Sequence, residues 1–388
     1  MATDLTLAAS PDASVRKLDP EPSEDAFTAG AGASVRKRGS RAPAAPAGRH
    51  DAPVTAVIGL DVGGANTKAA VVDGEEPARI VSQPFEVWRD PGAMSGVIED
   101  VVARLGLDGA PVALTTTAEL VDAFASKRDG VLHVLEAAQH ALPGRRLRVM
   151  TTGGELIGVR EATAAPLECA AANWMASALL VARSLPDAIL VDCGGTTTDL
   201  IPIAGGSVAA RGRTDLERLL AGELVYTGGL RTNVAAALSH VRVGGQPCPV
   251  ASELFAIAAD AHLLLGNLTP EQCTCTFPDG RGTSVREVRS RLARVVCADP
   301  GQLADGDLEA IAAAVEEAQI KAIAAALGRV AARRPDRVPV LAVGIGAFLA
   351  RAAAGRCGLT VCEPVGLPLA GKRGEVAAAV ALSVLGRE

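Results

Sequence analysis

The chain has 388 residues, a formal net charge of −6, and a hydrophobic fraction of 49% with only 2% aromatic residues. That length is enough for two domains of ordinary size plus a tail. The acidic balance argues against nucleic acid as a partner, and no apolar run reaches the ~18 residues that a membrane span needs. We therefore expect a cytoplasmic protein that binds small molecules, with neither nucleic acid nor a membrane as partner.

The eight cysteines include no Cys-x-x-Cys pair, and Cys248, Cys273, Cys275 and His262 fit no standard zinc spacing. With no signal peptide in view, free intracellular thiols are expected.

Residues 1–52 differ in composition from the rest of the chain. They are rich in Ala, Pro, Ser and charge, and the sequence Ala-Ser-Val-Arg-Lys occurs at both 13–17 and 33–37. Such a segment cannot bury enough apolar surface to offset the entropy lost on ordering. We predict a disordered, low-complexity tail; an interaction arm built on the two basic blocks is the alternative.

From residue 54 onward, short apolar strands alternate with turns and helices, as in an α/β protein. The first half predicts strands over 54–60, 68–72, 80–87, 112–116 and 147–151, and helices over 91–105, 130–141 and 166–183. The segment 115–124, where a strand that ends in threonines opens into carboxylates, fits an amphipathic, solvent-facing helix, although it is polar enough to line a cleft.

The second half repeats the three-strand meander over 188–192, 200–203 and 207–211. A long helix over 308–330, a strand over 338–343 and helices over 347–354 and 374–385 follow. The repetition predicts two domains, over 53–186 and 187–373, with the final helix (374–386) packing back on the first.

Two glycine turns carry the chemical signal. They are 61–68 (Asp-Val-Gly-Gly-Ala-Asn-Thr-Lys) and 192–199 (Asp-Cys-Gly-Gly-Thr-Thr-Thr-Asp), and each connects two apolar runs. This pattern predicts a strand–turn–strand hairpin rather than the strand-to-helix turn of a Walker loop. Paired glycines let backbone N–H groups approach an anion, and threonine hydroxyls add donors. Two copies predict duplicated lobes that face one phosphate-sized ligand.

Each position in these turns has an expected role. Asp61 and Asp192 are the candidate ligands of Mg²⁺, held mostly through water. Lys68 is a candidate cation against phosphate, or else a solvated strand residue, and Asp199 would face the metal or the nucleophile. The predicted phosphate-binding residues are Gly63, Gly64, Asn66, Thr67, Gly194, Gly195, Thr196 and Thr197. By strand alternation, one of Thr197 and Thr198 must point into the sheet.

The pair of turns resembles the actin, Hsp70 and sugar-kinase superfamily, in which two ribonuclease-H-like domains each supply one phosphate loop. The resemblance implies that fold, with a central phosphate-binding cleft. It also implies a glycine-rich strand-to-helix turn against a nucleoside, for which Gly344 and Gly346 are the candidates. Ile345 stands there in place of a small residue, so the match to a nucleoside site is weaker than the match to a phosphate site. Mg²⁺ is the expected cofactor, and ATP is the second candidate.

Two further polar segments are candidate substrate contacts. Glu119 and Asp122 follow a strand that ends in threonines, and Tyr226, the only tyrosine, lies near Thr-Gly-Gly and Arg231. Together with the segments 171–174 and 192–199, they resemble the hydantoinase/oxoprolinase-type proteins linked to tetrahydromethanopterin C1 transfer. Asn233 and Ala347 depart from that pattern, where proline and an acidic residue are expected.

That resemblance implies a reaction. Archaeal members of the group join an aminomethylfuran-methyl diphosphate to γ-glutamyltyramine and release diphosphate, in the biosynthesis of methanofuran. The phenol would need a base, for which the candidates Glu119, Asp122 and Glu168 stay open. Two alternatives also stay open: an ATP-dependent kinase or hydantoinase/oxoprolinase-type hydrolase, and a non-enzymatic, ATP-gated scaffold.

Overall fold

A computed structural model describes residues 56–72, 79–334 and 336–387, so the prediction of a tail over 1–52 lies outside the described residues. The described residues of the first half form six strands and four α-helices. The strands are β1 (Ile58–Gly63), β2 (Asn66–Val71), β3 (Arg79–Pro84), β4 (Val112–Thr117), β5 (Leu147–Met150) and β6 (Leu156–Gly158). The helices are α1 (Met94–Ala103), α2 (Lys127–Ala141), α3 (Val159–Ala164) and α4 (Asn173–Ala182).

The first sheet has the strand order β3-β2-β1-β4-β5-β6. The meander of β1, β2 and β3 is antiparallel, whereas β4 runs parallel to β1 on its other side. The predicted hairpin at the first glycine turn is confirmed. Alternation along β1 sends Ile58, Leu60 and Val62 into the core under α1 and α2, which leaves Asp61 on the opposite face.

In the second half, the part that the structure describes forms eight further strands and seven α-helices. The strands are β7 (Ala188–Cys193), β8 (Thr198–Ala204), β9 (Ser207–Val208), β10 (Leu224–Val225), β11 (His240–Val243), β12 (Gln246–Pro249), β13 (Val340–Val343) and β14 (Val361–Cys362). The helices are α5 (Asp215–Ala221), α6 (Val234–Ala237), α7 (Ala258–Leu264), α8 (Val285–Arg294), α9 (Asp305–Ala331), α10 (Ala347–Arg356) and α11 (Ala377–Leu385).

The second sheet repeats the plan of the first. Its order is β10-β8-β7-β13-β14, with β7 antiparallel to β8 and parallel to β13. Helices α9 and α10 cover one face of this sheet. Helix α4 contacts strands of both sheets and packs against α11, so one continuous core joins the two halves.

Helix α11 packs on β1, β2 and β4 of the first sheet, although it is the last element of the chain. The contact is close because Gly59 has no side chain: a Cβ there would overlap the carbonyl oxygen of Ala379. The Ser383 hydroxyl also donates to the Val57 carbonyl at 2.7 Å. Glycine and small residues thus bring this helix onto the strand that carries Asp61.

Two predicted helices are wrong in part. The helix over 166–183 is interrupted, since a 3₁₀ turn at Pro166–Glu168 is followed by four non-helical residues, and α4 begins only at Asn173. Ala171 has a φ of 50°, in the left-handed region, and Ala170 bridges to Thr116. Residues 118–126 are turns rather than an amphipathic helix, and α2 begins after the N-cap Ser126.

An added layer, formed by the elements that come between α6 and α9 in the sequence, was not predicted. The β11–β12 hairpin, α7 and α8 pack on α9 around a core of their own. Among the described residues, no helix is both long enough and apolar enough to cross a membrane.

Candidate functional site

The first glycine turn joins β1 to β2, and its Asp61 and Lys68 are paired across the two strands. On the other side of β1, Asp61 is in register with Thr115 of β4. Asp61 is only 6% exposed, and within the described residues neither its Oδ1 atom nor the Thr115 hydroxyl has a hydrogen-bond partner. Burial raises the pKa of Asp61, and the charge of Lys68 opposes that rise. A buried carboxylate with an unpartnered oxygen is suited to binding a cation.

The second glycine turn joins β7 to β8, with Asp192 and Asp199 paired across the strands. Burial raises the pKa of Asp192 to about 7, and the neighbouring Asp199 charge adds to the rise. Lys68 lowers this pKa and Asp61 raises it, although both residues belong to the first turn. The structure therefore brings the two predicted turns together.

Asp199 differs from the other two aspartates because an arginine holds it. Nη1 of Arg218 lies 2.9 Å from Oδ1 of Asp199, and Arg218 is 1% exposed. The guanidinium carbon of Arg218 lies 4.1 Å from the ring centroid of Trp174. Burial raises the pKa of Asp199 and Arg218 opposes the rise. Asp199 is consequently less available to a metal than Asp61 or Asp192.

The backbone of the first turn is held from behind. The N–H groups of Phe85 and Val87 donate to the carbonyls of Ala65 and Gly64, at 2.9 and 3.0 Å. The carbonyl oxygens of the turn are thus satisfied by the chain that follows β3.

The backbone of the second turn is held in the same way by the loop after β10. Leu230 and Arg231 donate their N–H groups to the carbonyl of Gly195, at 3.0 and 2.8 Å, and Gly229 donates to Gly194. A Cβ on Gly228 would lie 2.6 Å from the nitrogen of Thr196, so only glycine fits at that position.

Four N–H groups of the turns remain free among the described residues, whereas that of Gly194 donates to the Thr197 carbonyl at 2.9 Å. In the part of the chain that the structure describes, those of Gly64, Ala65, Gly195 and Thr196 donate no hydrogen bond. Carbonyls bound from behind and N–H groups without acceptors are typical of a backbone cradle for an anion. The geometry at both turns suits a phosphate group.

The remaining predicted turn residues have different surroundings. Thr67 is fully buried on the face of β2 opposite Lys68, where its hydroxyl has no partner among the described residues. Asn66 is half-buried at the turn. One of Thr197 and Thr198 was expected to point into the sheet. Thr198 is the one that does, and its hydroxyl donates to the Thr227 carbonyl at 2.7 Å. Thr197 stays half-buried at the turn.

Lys68 reaches away from the sheet toward the final helix. Its Nζ atom donates to the Glu375 carbonyl at 3.3 Å, and its side chain is partly exposed. Lys68 therefore lies between Asp61, Asp192 and the entry to α11.

Glu119 is the buried carboxylate among the three candidate bases. It is 2% exposed, and the Thr116 hydroxyl donates to its Oε2 atom at 3.4 Å. Burial raises the pKa of Glu119 to about 7; the charge of Asp215 adds to the rise and that of Lys127 opposes it. Lys127 and Asp215, from the two halves of the chain, form an ion pair of 2.6 Å.

Asp122 and Glu168 have other environments. Both are exposed, and Glu168 lies in the 3₁₀ turn that interrupts the predicted long helix. Asp122 and Glu168 therefore differ from Glu119 in being exposed to solvent.

Tyr226 and Arg231 also differ from each other. Tyr226 is 61% exposed. Arg231 lies beside the second turn, and its guanidinium carbon is 4.6 Å from the ring centroid of Trp88.

The third glycine turn connects β13 to α10, as predicted. Gly344 has a φ of 90°, and a Cβ there would lie 2.7 Å from Oδ1 of Asp192. Gly346 donates its N–H to the Cys193 carbonyl at 2.8 Å. Beside this turn lies a cavity of about 450 Å³, whose lining includes Phe348 and Glu375.

Four side chains join the two halves at the site in a way that was not predicted from the sequence: Trp88, Trp174, Asp215 and Arg218. An ordinary helical arginine gives no signal in sequence that it will stack on a distant tryptophan. Within the described residues, no group of three or more His, Cys, Asp or Glu side chains is placed to hold a metal ion. A cation at Asp61 and Asp192 would need the rest of its ligands from water or from a bound molecule.

Comparison with known proteins gave matches to a family profile, to named relatives and to solved structures. The profile described as hydantoinase/oxoprolinase matches residues 111–382. A protein of Methanocaldococcus jannaschii named (4-{4-[2-(gamma-L-glutamylamino)ethyl]phenoxymethyl}furan-2-yl)methanamine synthase is 37% identical over 253 residues, 65% of this chain and 74% of the relative. A protein of the same name from Methanococcus vannielii is 42% identical over 115 residues, 30% of this chain and 51% of the relative.

Among solved structures, the nucleotide-free structure of acetone carboxylase, from work on ATP-dependent acetone carboxylation, has a TM-score of 0.57 and 12% identity. The match covers 84% of this chain and 70% of that chain. At this identity the likeness shows the fold alone. It confirms the predicted α/β class with two ribonuclease-H-like domains around a central cleft.

Proposed function

We propose that this chain, which belongs to the hydantoinase/oxoprolinase family, is a transferase that makes an aryl ether. The donor is an aminomethylfuran-methyl diphosphate, the acceptor is γ-glutamyltyramine or a related phenol, and diphosphate is released. The product would be a precursor of a methanofuran-like C1 carrier. The names of the two archaeal relatives support the proposal, because they describe a furan methanamine that carries a phenoxymethyl group.

The observation that carries the proposal is the convergence of two anion cradles on one set of charges. Each glycine turn presents backbone N–H groups without acceptors among the described residues. Asp61, Asp192 and Lys68 lie close enough between the turns for each aspartate's pKa to respond to Lys68. One cradle for each phosphate of a diphosphate is the simplest use of this duplicated geometry.

The residues present fit a divalent cation. Asp61 has a buried oxygen without a partner in the described structure, and burial keeps the pKa of both Asp61 and Asp192 raised. A bound cation would favour the ionised form of both carboxylates. Asp61 and Asp192 would hold Mg²⁺, which would neutralise charge on the diphosphate. The chain's own contributions are the two backbone cradles and the Lys68 ammonium.

The proposed step forms one C–O bond and breaks another. The phenol oxygen of the acceptor attacks the methylene carbon of the donor, and the bond from that carbon to the diphosphate oxygen breaks. The electron pair leaves with the diphosphate, while the phenol proton passes to the carboxylate of Glu119. Glu119 is the preferred base because it is buried and its pKa is raised to about 7, close to the pH at which it must work.

A second candidate function is ATP-dependent chemistry, as a kinase or as a hydrolase of a cyclic amide. The cavity beside Gly344 favours it, because a nucleoside bound there would place its phosphates toward Asp192. The same turns would then hold the phosphates of ATP.

A turnover assay tests the proposal. Incubated with the furan diphosphate, γ-glutamyltyramine and Mg²⁺, the protein should release diphosphate and form the ether in equal amounts without ATP. Lys68→Ala should slow the reaction about ten- to a thousandfold, the range for one electrostatic contact in a transition state. Ether that forms only when ATP is added would move the assignment to the second candidate. ATP hydrolysis stimulated by a cyclic amide, with no ether under either condition, would exclude the transferase.

A further inference from the structure

The chain has two tryptophans, and each carries an arginine guanidinium over its ring. In the inner pair, Arg218 stacks on the buried Trp174 and also binds Asp199, so both its ring contact and its charge are used within the protein. In the outer pair, Arg231 stacks on Trp88, and both side chains are partly exposed.

Backbone hydrogen bonds attach the chain segments that carry the outer pair to the two glycine turns. Val87, which precedes Trp88, donates its N–H to the carbonyl of Gly64 in the first turn. Arg231 donates its own N–H to the carbonyl of Gly195 in the second turn. The contact between the Trp88 ring and the Arg231 guanidinium therefore links the two chain segments that hold the glycine turns.

Arg231 has no anion of its own. Within residues 56–72, 79–334 and 336–387, its guanidinium makes neither an ion pair nor a hydrogen bond. Besides stacking on the ring of Trp88, it lies near enough to Cys275 to oppose the rise in the pKa of that partly buried thiol. A guanidinium can keep its stacking contact while its N–H edge binds a phosphate, since the two interactions use different parts of the group. Trp88, which is not fully covered, leaves ring surface for a second aromatic contact.

We infer that Trp88 and Arg231 form a subsite for a ligand in which an aromatic ring is one methylene away from a diphosphate. Arg231 binds the diphosphate between the turns. The indole of Trp88 stacks on the ligand's aromatic ring, which extends out of the turns. This inference rests on the proposed function, because it assigns two recognition residues to the proposed donor. It makes Trp88 the residue that distinguishes a ring-bearing diphosphate from diphosphate itself.

The test compares two ligands by isothermal titration calorimetry in the presence of Mg²⁺. One is inorganic diphosphate; the other is the furan-2-ylmethyl ester of methylenediphosphonate, which carries the ring and has no P–O–P bond to hydrolyse. Arg231→Met should weaken both ligands about ten- to a hundredfold, the worth of a charge-assisted hydrogen bond. Trp88→Ala should weaken the ring-bearing ligand alone, by about five- to tenfold, and Trp88→Phe should restore it.

The matched control is Arg242→Met, which changes an exposed arginine of the β11–β12 hairpin and should bind both ligands as the wild type does. Two results would show that the stack is only a structural contact between the halves. One is unchanged affinity of Arg231→Met for both ligands. The other is an equal loss of affinity for both ligands in Trp88→Ala, with no rescue by Trp88→Phe. If the wild type binds neither ligand, the proposed function and the subsite both fail. If it binds both yet forms no ether in the turnover assay, the proposed reaction fails, and the variants still decide the subsite.

Discussion

Asp61, Asp192 and Glu119 are carboxyl groups whose pKa is raised chiefly by burial. Water is a far better solvent for a carboxylate than a protein interior is, so each group is costly to ionise unless a cation lies beside it. Lys68 and Lys127 supply part of that compensation. At each of these carboxyl groups, a bound ligand, a metal ion or a transferred proton would lower the free energy that ionisation in the interior costs.

Replacing Glu119 tests its proposed role as a base. Glu119→Gln should lower kcat about a hundred- to ten-thousandfold, the usual contribution of general acid–base catalysis. In the wild type, kcat/KM should rise with pH through about 7 and then level, because the base must be deprotonated and burial raises its pKa to about 7. Saturating Mg²⁺ would keep Asp61 and Asp192 ionised, so under that condition the rise should disappear from the residual activity of the variant.

Asp122→Asn and Glu168→Gln are the matched controls, since both residues are exposed candidate bases. Each should keep the wild-type pH profile. Loss of the rise near pH 7 in either control, with Glu119→Gln close to wild type, would assign the base to that residue instead.

The raised pKa of Asp192 also predicts how stability depends on pH. A carboxyl group whose pKa rises from 3.8 unfolded to about 7 folded binds more protons in the folded state between these values. The ligand-free protein should therefore lose stability as pH rises from about 4 to 7. Asp61, Glu119 and Asp199 act in the same direction, because burial raises their pKa too.

Differential scanning calorimetry at several pH values measures this effect. Wild-type Tm should fall by about 3 °C or more between pH 5 and pH 8, and Asp192→Asn should fall less, since 1 kcal/mol corresponds to roughly 2–4 °C in a protein of ordinary size. Equal falls in the wild type and in Asp192→Asn would mean that Asp192 is ionised without cost in the folded protein.

At the scale of secondary structure, most elements follow from local pattern. Alternating apolar residues predict the meanders of both sheets, and the glycine turns between them form the expected hairpins. The long helix α9 and the strand-to-helix turn at Gly344 are also recognisable from the sequence. In each case the signal lies within a few neighbouring residues.

The elements that were predicted wrongly depend on tertiary contacts. The predicted helix over 166–183 contains alanine, a strong helix former, yet Ala171 is left-handed and Ala170 bridges to Thr116. Helix propensity cannot reveal a strand that competes for the same backbone. The stack of Arg231 on Trp88 escapes sequence analysis for the same reason, because the two side chains meet only in the folded chain.

Gly59 offers a test of how α11 is attached. A Cβ at this position would overlap the backbone of α11, whereas a Cβ on Gly96, in α1, would meet no atom within 4 Å. Gly59→Ala should therefore lower the free energy of unfolding by about 1–3 kcal/mol through overpacking. Gly96→Ala should raise it by roughly 0.5–1 kcal/mol, since alanine is the better helix former.

Urea unfolding of the two variants measures both values. A Gly59→Ala variant as stable as the wild type would show that α11 can shift away from β1 without loss, and the close contact would then not determine stability.

At the scale of the whole molecule, the two halves are joined by a shared core and by contacts at the site. Helices α4 and α11 fill the core between the sheets. At the site, Lys127 pairs with Asp215, and Trp88 stacks on Arg231. A ligand held by both glycine turns would add a further connection, so its binding should stabilise the whole described body.

Ligand binding should accordingly raise the Tm. At about 100 times the Kd, diphosphate with Mg²⁺ should stabilise the protein by roughly 2.7 kcal/mol. Asp61→Asn and Asp192→Asn should each lose most of that stabilisation and abolish turnover, while the exposed Asp100→Asn keeps both. Full stabilisation of both site variants, measured by thermal shift at saturating Mg²⁺, would show that these aspartates have no part in holding the cation.

The central claim is that the two turns hold a diphosphate that departs from carbon, without ATP. It is tested most directly by labelling the donor with ¹⁸O at the oxygen that bridges the methylene carbon and the diphosphate. Mass spectrometry of the products after turnover without ATP should find all the label in the released diphosphate and none in the ether, because the acceptor supplies the ether oxygen. Label retained on the furan-bearing product would mean that the P–O bond breaks instead. The site would then transfer phosphoryl groups, and departure of the diphosphate from carbon would be contradicted.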